Sequence, residues 1–104
     1  MTVAVIVSPE AEAQIREIDS WWRANRKAAP DLFLEELAEA TTTLETMPSA
    51  GHRFEHPEVK GLRRILMRAT RYHVYYVANP DTVLILALWS AVRGAGPDLK
   101  RLLH

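Results

Sequence analysis

The chain has 104 residues, 48% of them hydrophobic, and thirteen basic side chains that balance thirteen acidic ones. That length supports one domain over 1–104 with one core, and the lack of cysteine excludes a disulfide framework, a thiolate zinc site and a cysteine nucleophile. The zero net charge hides an asymmetry: residues 1–50 carry four Lys or Arg against nine Asp or Glu, and residues 51–104 nine against four, so the halves stand at −5 and +5.

The stretch Thr2 to Val7 is rich in β-branched residues and predicts a strand. It carries no basic leader and its apolar run is too short for a signal or membrane segment, so a cytoplasmic protein without membrane contact is expected. Ser8 is suited to accept from the free amides of a new helix, Pro9 suits its first turn, and Glu10 and Glu12 favour the positive end of its dipole. Ala11, Ile15, Ile18 and Trp22 follow at spacings of four, three and four, which puts one apolar stripe toward the core of a helix ending near Asn25 to Lys27. Pro30-Asp31 starts a second helix whose stripe is Phe33, Leu37, Ala40, Leu44 and Met47, and Pro48 stops it. The two helices form an antiparallel hairpin whose inner stripes need a sheet to cover them. Trp22 and Phe33 read as core, whereas Trp21 falls beside the stripe.

From Pro48 to Lys60 the periodicity is lost and a loop is predicted. His52 and His56 lie in it four residues apart, which is a metal-ligand spacing only on a helix, so no metal site is expected. Three strands follow. From Arg63 to Ala69, one alternation gives Arg63, Ile65, Met67 and Ala69, and the other, read as the solvent side, gives Leu62, Arg64, Leu66 and Arg68. Next, Tyr72, Val74, Tyr76 and Ala78 form the apolar alternation, with Arg71, His73 and Tyr75 opposite. Asn79-Pro80-Asp81 is a turn, and Val83 to Trp89 is apolar on both faces and belongs in the middle of the sheet. The apolar positions Leu99, Leu102 and Leu103 suit a short helical tail. The expected class is α+β, βααβββ, with an N-terminal helical hairpin packed on a sheet that is mainly antiparallel.

Rigid strands can hold arginines at fixed spacing. A basic C-terminal half suits nucleic acid, an acidic protein, or the acidic helices of its own fold. The helical hairpin followed by Pro48-x-x-Gly51, Gly61-Leu62-Arg63-Arg64, Tyr72-His73-Val74-Tyr75-Tyr76, Val83-Leu84-Ile85-Leu86-Ala87-Leu88-Trp89 and Arg93 resembles the RelE/ParE superfamily of type II toxin–antitoxin toxins over almost the whole chain. The segment Trp89 to Pro97 is similar to the ParE, or plasmid stabilisation, side. The resemblance implies two activities. RelE-like members cut messenger RNA on the ribosome without a metal, which would employ Arg64, Arg68, Arg71, His73, Tyr75 and Arg93 for charge stabilisation and proton transfer. ParE-like members are not considered enzymes and poison DNA gyrase. Both are silenced by an acidic antitoxin, here expected to meet Arg64, Arg68, Arg71, Trp89 and Arg93. No cofactor is expected in either case. No tyrosine or histidine follows Trp89 before the terminal His104, which favours the gyrase poison over the nuclease. A degenerate binding module without toxicity is the third reading.

Overall fold

The computed structural model describes residues 2–92, and the predicted C-terminal tail and Arg93 lie outside them. The elements are β1 (Ala4–Val7), α1 (Pro9–Asn25), α2 (Leu32–Thr46), β2 (His52–Arg53), β3 (Leu62–Met67), β4 (Tyr72–Ala78) and β5 (Thr82–Ser90). They build one five-stranded sheet in the order β1-β5-β4-β3-β2. Only the β1–β5 pair is parallel. The expected α+β arrangement is present, and β5 is internal, flanked by β1 and β4.

The start of α1 follows from its capping residues. Ser8 adopts an extended conformation and its hydroxyl accepts from the Ala11 amide at 3.1 Å, with Pro9 in the first turn and Glu10 and Glu12 beside the free amides. The same hydroxyl donates to the Leu86 carbonyl at 3.2 Å. β1 ends opposite Ile85, so beyond that point the outer edge of β5 has no strand beside it among the described residues. Ser8 takes one of its exposed groups, and the Gln14 side chain takes another by accepting from the Leu88 amide at 2.8 Å. A helix start thereby finishes a sheet edge.

The main core lies between the helices and the sheet. Ala11, Trp22, Phe33, Ala40 and Leu44 from the helices meet Met67, Val74, Tyr76, Val83, Ile85 and Leu88 from the strands, and Ile15, Ile18 and Leu37 pack at its margin. The predicted stripes therefore face the sheet, with one exception. Met47 is 55% exposed, because α2 stops at Thr46 and Met47, preceding Pro48, leaves helical geometry at φ −136°, ψ 75°.

Two further features depart from the sequence reading. The stretch read as a loop contains β2, which pairs His52 with Arg64 and Arg53 with Arg63. The face of β3 read as the solvent side is exposed at Leu66 and Arg68, but at Leu62 it joins a second, smaller core of Val59, Leu62, Tyr75, Leu86 and Ala87, with Phe54, Val77, Leu84 and Trp89 around it. A bulge makes this possible. Tyr75 pairs with Ala87 and Tyr76 with Ile85, leaving Leu86 as the extra residue. Val83, Ile85 and Leu88 then share the helix side, while Leu84, Leu86 and Ala87 share the other. Among the described residues, no helix is long and apolar enough to cross a membrane.

A basic cleft at the open edge of the sheet as the candidate functional site

Because β2 is only two residues long, β3 is paired on its outer side at Arg63 and Arg64, and from Ile65 onward no strand among the described residues pairs with that side. The strand registers stack two rows on the face away from the helices. One row is His52, Arg64, Tyr75 and Ala87, and the next is Leu66, His73 and Trp89. A cleft of about 530 Å³ opens at this edge, lined by His52, Arg53, Arg64, Ile65, Leu66, Arg68 and His73 together with Ala50 and Gly51. Among the described residues no carboxylate belongs to that lining, so the wall they form is positive, and it includes the partly exposed side chain of Leu66.

Each basic group is held differently. The Arg64 guanidinium lies 4.4 Å from the centre of the Phe54 ring and donates to the Tyr75 hydroxyl at 3.3 Å. Neither the aromatic face nor the neutral hydroxyl cancels its charge, and together they fix its plane. Arg68 was expected on the strand, but β3 ends at Met67 and Arg68 sits in the following turn, still within the cleft wall. Arg71 also belongs to that turn rather than to β4, with a positive φ of 65°. His73 is on β4 as expected. Burial, and then the charges of Arg64 and Arg71, hold its imidazole below the usual histidine range, so it is neutral at pH 7.

Tyr75 departs from the expected role. It is 2% exposed, edge-on to Phe54 with centroids 5.6 Å apart and 6.0 Å from His73. It acts as a wall behind Arg64 rather than as a group facing solvent. Trp89 lies across the strands from His73 and packs on the second core. Arg93, the remaining expected site residue, falls outside the described residues. The structure thus brings Arg64, Arg68 and His73 into one cleft with Arg71 close by.

The loop that shapes the near wall is pinned from below. The buried Tyr76 hydroxyl accepts from the Gly51 amide at 2.8 Å and donates to the Pro48 carbonyl at 2.7 Å. Arg63 donates to the Gly51 carbonyl at 2.8 Å. Gly51 is needed for this close approach, since a Cβ there would lie 2.7 Å from the Tyr76 hydroxyl and 2.8 Å from the Arg64 carbonyl. The two loop histidines separate here. His52 faces the cleft, while His56 accepts from the Glu58 amide at 3.1 Å. Among the described residues, no group of three or more His, Asp or Glu side chains is placed to hold a metal. His52 and Phe54 went unrecognised as parts of the site because their place depends on the pairing of β2, which no periodicity announces.

On the other side of the open strand, a groove of about 220 Å³ separates α2 from β3. Ala40, Ile65, Leu66 and Met67 give it apolar walls, but Glu36 and Glu39 line the helix side. The edge of β3 therefore runs between a basic cleft and a mixed groove, with Arg68 bordering both.

Comparison with known proteins agrees with this architecture. A solved structure described as the chromosomal ParDE TA system from P. aeruginosa matches with a TM-score of 0.67 and 14% identity, over 84% of this chain and 94% of that one, a likeness of fold. No curated protein matches the sequence. The family described as "ParE toxin of type II toxin-antitoxin system, parDE" matches residues 5–93, nearly the whole length. The chain belongs to the ParE family of type II toxin–antitoxin toxins.

Proposed function

We propose that this toxin acts in the cytoplasm by binding DNA gyrase, and that an acidic antitoxin silences it by laying an extended segment over the edge of β3. The observation that carries this reading is a positive cleft, lined among the described residues by no carboxylate, at a strand edge of a ParE-family chain that no described strand covers. An extended segment with carboxylates on one side would meet Arg64, Arg68 and Arg71, and its apolar side chains would cover Leu66 and Ile65. Trp89 is proposed to extend this surface, and Arg93, outside the described residues, is proposed as a binding residue from the sequence alone. Exposed arginine–carboxylate pairs contribute about 0–1 kcal/mol each, so they mainly align and steer the partner, while apolar burial provides most of the affinity. The chemistry of the cleft explains attraction to an acidic surface, and gyrase as the target rests on what family membership implies.

Titrating the purified chain into a gyrase supercoiling reaction tests the target. Loss of supercoiling, reversed by the cognate antitoxin, is expected, and undisturbed supercoiling at full occupancy would overturn the proposal. One observation favours a second reading, that of a RelE-like ribonuclease. His73 is held neutral beside two arginines, which suits proton transfer next to a phosphate. Cleaved messenger RNA in cells making the toxin, absent for His73→Gln, would support it.

A further inference from the structure

We infer that Glu36 is a positioning residue for the cleft: its carboxylate clamps the turn after β3 to α2, and so fixes where Arg68 and Arg71 stand. The inference rests on the reading of the cleft as a site for an anionic partner. One Glu36 oxygen accepts from the Ala69 amide at 2.7 Å, and the other accepts from the Thr70 amide at 2.9 Å and the Thr70 hydroxyl at 2.6 Å. These contacts join residues more than thirty positions apart. Thr70 is itself buried, at 6% exposure. A carboxylate engaged by two amides and a hydroxyl is directed at the turn backbone and forms no ion pair with the arginines that flank it.

The backbone of the turn gives a second, independent reason. Arg71 is the one non-glycine residue with positive φ among the described residues, a conformation that costs an L-residue with a long side chain about 1 kcal/mol or more. The turn is tied at three points: the Arg71 amide donates to the Met67 carbonyl at 2.8 Å, the Arg71 carbonyl accepts from the Ala91 amide at 2.7 Å, and Glu36 holds Ala69 and Thr70. Glycine would adopt this φ without strain. Arginine in its place puts a cation beside His73, at the end of the cleft that Arg68 borders.

Fluorescein-labelled oligoglutamate is a suitable probe, and the sign of the effect decides. On charge alone, Glu36→Gln removes a negative group near a basic cleft and should tighten polyanion binding. A positioning role predicts the opposite, a weakening of about two- to fivefold, because the two arginines lose their fixed places. Thr70→Val leaves the charge unchanged and should weaken binding in the same way, with circular dichroism confirming that both variants are folded. Arg64→Gln, remote from the clamp, separates the two levels of the argument. If it weakens binding while Glu36→Gln and Thr70→Val do not, the anionic-partner reading stands and the positioning role is overturned. If all three bind like the parent, the reading of the cleft falls and the inference falls with it.

Discussion

Removing one oxygen atom, in Tyr76→Phe, tests how the near wall of the cleft is held. The Tyr76 side chain is fully buried, and its hydroxyl accepts from the Gly51 amide and donates to the Pro48 carbonyl. Burial pushes the phenol above its ordinary pKa of 10, against the opposing effects of the Gly51 amide and Arg63, so it remains a protonated donor across the working range. Phenylalanine fills the same volume and removes both bonds. Each intramolecular bond contributes about 1 kcal/mol net, and the buried Gly51 amide left without an acceptor costs about a further 1 kcal/mol, for a total of about 2–3 kcal/mol. With a urea dependence of about 1–3 kcal/mol per molar for a domain of this size, the unfolding midpoint should fall by about 1–2 M at an unchanged slope. A midpoint within about 0.3 M of the parent, at the same slope, would refute the reasoning, because it would mean that water or a shifted loop satisfies Gly51 and Pro48 equally well.

Other perturbations reach different parts of the molecule. Ser8→Ala removes both the helix cap and the bond to Leu86 and should cost about 1–2 kcal/mol in thermal or urea unfolding. Glu36 has its carboxyl pKa held below the ordinary 4.5; burial alone would raise it, and the bonds from Thr70 and Ala69 more than reverse that. Its contribution to stability is present above pH 4.5 and is lost as the pH falls through the lower folded value, so Glu36→Gln should flatten the acid limb of a midpoint-against-pH curve. His73, also depressed, takes up its proton later in the folded state than in the unfolded one, so stability should fall as the pH drops below 6.5, and His73→Gln should remove that step. Arg64→Glu with Arg68→Glu should slow association with the antitoxin, most strongly at low salt in stopped-flow mixing.

What could be read from the sequence follows from how local the determining forces are. The start of α1 is set by Ser8, Pro9 and two glutamates within four residues of each other, and a helix stripe or an alternating strand repeats its signal several times. The features that were missed are set at long range. β2 owes its two residues to pairing with Arg63 and Arg64 and to the pinned Gly51, none of which leaves a periodic trace around Pro48. The bulge at Leu86 is hidden because Val83 to Trp89 is apolar on both faces, so a one-residue slip of phase changes nothing in the pattern. For the same reason Leu62 and Tyr75 could be assigned to a face but not to the second core that buries them. In the candidate site, the arginines and His73 were legible as one cluster on successive strands. That Arg68 and Arg71 sit in a turn, Arg71 at a φ that arginine seldom adopts, depends on Glu36, more than thirty residues before the residues it holds, and on Ala91, twenty residues after Arg71.

Pulse-labelling of DNA and protein synthesis within minutes of inducing the chain without its antitoxin, with soluble expression confirmed, bears most directly on how the toxin acts. Early loss of DNA synthesis, abolished by Arg64→Glu with Arg68→Glu in a folded variant, is the predicted result. Early loss of protein synthesis with DNA synthesis intact, or arrest of DNA synthesis that ignores both arginines, would contradict it.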